Sequence, residues 1–72
     1  MPLQVRLSEP AQLPDLVDSF LRNECIAYAV ADDSCVVIHV QAAHADEAFR
    51  EVSFFVRAWQ FGHPGVAAAV IT

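Results

Sequence analysis

A chain of 72 residues has room for one domain and one core, so residues 1–72 are expected to fold as a single unit. Hydrophobic residues make up 56% of it, which excludes the polar, highly charged profile of a disordered chain. Nine carboxylates stand against four arginines and no lysine, and the formal charge of −5 opposes binding to nucleic acid or an anionic membrane.

Leu3-Gln4-Val5-Arg6-Leu7 alternates apolar and polar residues, the pattern of a half-buried strand. Leu3, Val5 and Leu7 share one face, and Gln4 and Arg6 share the other. Ser8 offers a cap, and Pro10 and Pro14 mark the entry into a helix. Leu13, Leu16, Val17, Phe20 and Leu21 fall at helical spacing, which predicts a helix from Gln12 or Leu13 to Asn23. Asp18 and Arg22 are placed for an i,i+4 pair, and Asn23 suits a left-handed C-cap.

Two strand-like runs follow, from Cys25 to Ala31 and from Cys35 to Val40, separated by Asp32-Asp33-Ser34. A three-residue loop would pair Ala31 with Cys35, Val30 with Val36, Tyr28 with Ile38 and Ile26 with Val40. In that register the large apolar residues gather on one face, which is expected to be the core face. Ala27, Ala29, Ala31, Cys35, Val37 and His39 would then lie on the open face. Cys25 and Cys35 begin antiparallel strands, so they sit about 20 Å apart at opposite ends of the hairpin. That is beyond disulfide reach, and both read as reduced thiols packed as small apolar residues.

The longest helical pattern runs from His44 to Phe61, with Ala45, Ala48, Phe49, Val52, Phe55, Val56 and Trp59 as its apolar stripe. Asp46 and Glu47 complement the dipole in its first turn. Gly62 is expected to end it in a left-handed conformation, with Pro64 preventing continuation. At ~100° per residue Phe54 and Phe61 fall away from the stripe, in line with Glu47, Glu51 and Ala58 on the solvent side. Gly65 to Thr72 reads as a last strand.

The order βαββαβ predicts an α+β, ferredoxin-like domain with an antiparallel sheet in order 4-1-3-2 and both helices on one face. In length and element order the chain resembles a short ACT-type regulatory domain. The resemblance implies a small ligand, such as an amino acid, held at a subunit interface. ACT domains usually carry a glycine at the first strand–helix connection, where this chain has Ser8-Glu9-Pro10-Ala11.

Chemistry is sparsely signalled. No Cys-x-x-Cys loop follows the first strand, and His39, His44 and His63 are widely spaced, so neither a metal nor a cofactor is expected. Cys25 and Cys35 lack a cationic neighbour in sequence and no glycine-rich nucleophile turn occurs, so an enzyme is not expected. RNA binding on this topology uses exposed aromatics among basic residues, and the expected open face carries neither. What remains is association: a homodimer or protein partner on the open sheet through Arg6, Ala27, Ala29, Val37 and His39, or on the long helix through Phe54 and Phe61. Arg6 and His39 could alternatively hold a small anion. No apolar run approaches the ~20 residues of a membrane span and the N-terminus lacks a leader pattern, so a cytoplasmic protein is expected.

Overall fold

The alternating residues of strand β1 (Pro2–Leu7) give it one wholly apolar side, and Leu3, Val5 and Leu7 are all buried in the computed structural model, which describes residues 2–71. β1 takes an inner position in the sheet. It pairs antiparallel with β3 (Ser34–His39) and with β4 (Ala68–Ile71), and β2 (Cys25–Ala31) adds beyond β3. The sheet therefore runs β2-β3-β1-β4, which is 4-1-3-2 read from the other edge. This α+β arrangement is compatible with a ferredoxin-like topology.

Helix α1 (Leu13–Leu21) follows a 3-10 turn at Pro10–Gln12, and helix α2 (Ala45–Phe61) connects β3 to β4. Leu16 and Phe20 of α1 and Val52, Val56 and Trp59 of α2 enter one core with the inward residues of the sheet. The Phe20 and Phe55 rings stack with centroids 4.6 Å apart, locking the helices over the same sheet face. No helix of the described residues is long and apolar enough to cross a membrane.

The hairpin corrects the sequence reading. Its turn is Asp32-Asp33, with Ala31 opposite Ser34 and a bulge between Ala29 and Ala31. The pairs are Cys25 with His39, Ile26 with Ile38, Ala27 with Val37, Tyr28 with Val36 and Ala29 with Cys35. This is a slip of two residues from the expected register, so the large residues still share a face, as expected. They share the opposite one. β1 sets the face: Leu3 stands opposite Val37 and Val5 opposite Cys35, and directly paired residues point to the same side. Cys25, Ala27, Cys35 and Val37 are consequently buried beneath the helices, while Ile26, Tyr28, Val36 and Ile38 occupy the open face.

Volume explains the inversion. The helices already bring Phe20, Phe55, Trp59 and Leu16 into the core, and small strand residues leave space for them. Isoleucine and tyrosine in those strand positions would overpack it. Thus Ala27, Val37 and His39, expected on the open face, lie on the helix side, Val37 with no exposed surface at all. Ala29, paired with buried Cys35, has the same orientation although it is exposed. Arg6 does lie on the open face, exposed, as expected.

Several ends also differ. Gly62 closes α2 at φ −85°, not left-handed, and Gly65 takes the positive φ (90°) that only glycine adopts cheaply. After α1 the left-handed residue is Glu24 (φ 62°), while the Asn23 side chain donates to the Ser19 carbonyl at 2.7 Å. Arg22 contacts Ser19 instead of pairing with Asp18, and Leu21 is half exposed. Ser8 caps no helix. Its hydroxyl accepts from the Ala67 amide at 2.8 Å and its own amide donates to the Ala67 carbonyl, stitching the end of β1 to the approach of β4.

Candidate interaction surface

Two features of the molecule deserve chemical attention: the uncovered side of the sheet, and a hydrogen-bonded cluster joining the helix ends. On the open face, Ile71, Gln4, Val36 and Tyr28 align across all four strands in one row. Pro2, Ile38 and Ile26 form the next row. Ile26 and Tyr28 are each about half exposed, and Ile71 somewhat less. Val30 beside the bulge and Val40 past the end of β3 extend the apolar area at the margins. Isolated exposed apolar residues are ordinary, whereas contiguous apolar patches are the kind of surface that interaction sites use. Arg6, opposite Ala69 and Ser34, brings a positive charge to the same side.

Sequence reasoning missed this surface because it assigned Ile26, Tyr28, Val36 and Ile38 to the core. The signal that could have found it was the excess of bulky residues: both helices and both hairpin faces are apolar, and one core of this size cannot hold them all. Phe54 and Phe61 are where their spacing puts them, on the outer side of α2, 72% and 83% exposed. They lie on the helical layer, away from the open sheet, so the seven residues expected to form interfaces do not converge.

The second feature joins the start of α1 to the end of α2. The Trp59 indole donates to Asp15 Oδ2 at 2.9 Å, and His63 Nε2 lies 2.9 Å from the same oxygen. His63 Nδ1 is 2.9 Å from the Trp59 carbonyl, and its ring stacks on the indole with centroids 3.9 Å apart. No sequence motif announced it, since Asp15 and His63 lie far apart in the chain. An acid–histidine pair can serve as a base. Here both ring nitrogens are already directed at protein oxygens, so the pair is arranged as a latch.

The thiols are equally unsuited to attack. Burial, with a contribution from Glu24, raises the pKa of Cys25, and burial pushes Cys35 up to about 11. Both remain protonated at neutral pH, and the thiolate is the reactive form. Cys25 faces His39 across the hairpin, and a cavity of about 260 Å³ opens beside them, bounded by Phe20, Glu51 and Phe55. His39 Nδ1 is buried there without a hydrogen-bond partner. Arg6 and His39, expected to cooperate on an anion, are on opposite sides of the sheet. Among the described residues, no three His, Cys, Asp or Glu side chains come together as a metal cage.

No protein-family model matches the chain, and neither a curated protein nor a solved structure is significantly similar to it.

Proposed function

We propose that this ferredoxin-like domain is a non-catalytic association module, and that two copies form a homodimer by stacking their open sheet faces. The observation that carries this reading is the pair of apolar rows, Val36–Tyr28 and Ile38–Ile26, left uncovered by the protein's own helices. Face-to-face packing places such side chains in a layer about 10 Å thick, and the identical surface serves both partners of a two-fold dimer. A chain of this size also gains stability by association, because its own core is small. The protonated thiols and the engaged Asp15–His63 pair support a role without catalysis.

Tyr28 removes one objection to RNA, since an aromatic does stand on the open sheet. The charge objection stays: Arg6 is the one arginine on that face, in a chain of net charge −5. We read the protein as free of nucleic-acid and membrane partners and as cytoplasmic.

A second reading, an ACT-like sensor, is favoured by a groove of about 260 Å³ at the β1–β4 edge, lined by Arg6, Ser8 and Ala67–Ala69. It would take an anionic small molecule such as an amino acid at a subunit boundary. Light scattering over a dilution series separates the readings. The first predicts a mass twice the 7.9 kDa of one chain, reduced to one chain by Tyr28→Glu and unchanged by Phe54→Glu. A wild-type monomer at every concentration would sink it, and dimerisation dependent on added amino acid would favour the second.

A further inference from the structure

On the helix side of the sheet, strand β3 presents Cys35, then Val37, then His39. The third of these positions calls for an apolar residue and holds an imidazole instead. His39 Nδ1 is the one buried side-chain nitrogen or oxygen among the described residues without a hydrogen-bond partner. Leaving such an atom unpaired costs stability, so its position calls for a partner. Beside it, where His39 stands opposite Cys25, a cavity of about 260 Å³ opens. The cavity is lined by Phe20 and Val52, both fully buried, and by Phe55, whose ring stacks on Phe20.

We propose that this cavity binds a small uncharged aromatic alcohol, a ligand of the phenol class. Volume sets the size: the cavity falls below the roughly 300–1,000 Å³ of larger ligand sites, so it takes one ring and not a nucleotide. The walls set the kind of ring, because phenylalanine rings pack well against another aromatic in offset or edge-on contact. The polar groups set the substituent. The Cys25 thiol is directed at the Asn23 carbonyl at 3.7 Å, and the Asn23 amide donates to the Ser19 carbonyl. The His39 imidazole is left to meet the ligand. Its Nδ1 donates in one neutral tautomer and accepts in the other, and a hydroxyl satisfies either. That nitrogen is enclosed in the empty site, and a turn of the ring about χ2, a broad torsion, brings it to the cavity. An anion is disfavoured, since Glu51 is the charged side chain of the lining and no arginine is among the residues that form it. The site lies on the helix side, so it does not depend on the proposed sheet-to-sheet dimer.

The test titrates the protein with p-cresol, toluene and 4-methylbenzoate, which share a methylated ring and differ in the group offered to His39. Amide shifts and the His39 imidazole nitrogen shifts are followed by NMR. p-Cresol is expected to bind one per chain with a Kd below about 5 mM. Shifts should centre on Cys25, His39, Val52 and Phe55, with His39 Nδ1 moving to a hydrogen-bonded value. Toluene and 4-methylbenzoate should each bind at least about tenfold more weakly. His39→Leu removes the unpaired nitrogen and should fold at least as well, while erasing the preference for p-cresol over toluene. Ala58→Trp, at an exposed helix position on the cavity lining, should leave the circular dichroism spectrum native and abolish binding. Equal binding of toluene to the wild type, shifts centred elsewhere, a preference that survives His39→Leu, binding that survives Ala58→Trp, or no saturable binding of p-cresol would each overturn the proposal.

Discussion

The two faces of the β2–β3 hairpin are both apolar and differ mainly in side-chain volume. Beneath the helices lie Cys25, Ala27, Cys35 and Val37; on the open side lie Ile26, Tyr28, Val36 and Ile38. Hydrophobicity alone would bury the second set. The protein buries the first, because the space under Phe20, Phe55 and Trp59 accepts small residues and rejects large ones. Core membership here is set by fit, and the bulky remainder is available for a partner.

Matched substitutions on the two faces should therefore behave differently, and the largest effect belongs to the inner face. Val37→Glu buries an unpaired carboxylate in a fully enclosed site and should cost more than about 4 kcal/mol, abolishing cooperative thermal unfolding. Tyr28→Glu should leave the fold intact by circular dichroism while dissociating the proposed dimer. If Val37→Glu gave a folded monomer instead, the faces would have been assigned the wrong way round. Ala27→Leu is a gentler form of the same contrast. Overpacking should destabilise by about 1–3 kcal/mol in urea titrations, whereas Ile26→Leu on the outer face should be nearly neutral to folding.

How much of this was legible from residues alone follows from what periodicity encodes. β1 and α2 were readable because one side of each is polar: Gln4 and Arg6 against Val5, Glu51 and Arg57 against Val52 and Val56. The hairpin offered no polar side to contrast. Alternation could say that Ile26 and Tyr28 share a face, yet not which face meets the helices, since that depends on Val5 standing opposite Cys35. The Asp15–Trp59–His63 cluster was invisible for another reason. Its members meet only after α1 and α2 are laid side by side, and no local spacing carries that information.

That latch gives a smaller effect. Asp15→Asn keeps the shape and weakens two hydrogen bonds at a half-exposed site, so about 1 kcal/mol of stability should be lost in chemical denaturation. The smallest effect is a pH dependence from Cys35. Its folded-state pKa, about 11, is raised from 9.0 by burial. Between those values the unfolded chain ionises and the folded one does not, so stability is full below pH 9 and falls as pH rises toward 11. Cys35→Ala should flatten that portion of the stability–pH curve. An unchanged slope would mean the thiol is less enclosed than its zero exposure indicates.

The most direct measurement of the central claim is methyl NMR with a soluble paramagnetic agent, comparing dilute and concentrated protein. Sheet-to-sheet association predicts that the methyls of Ile26, Val36 and Ile38 become protected as concentration rises, while the ring protons of Phe54 and Phe61 stay accessible. Protection confined to the α2 aromatics, or no change on either layer at any concentration, would contradict the account.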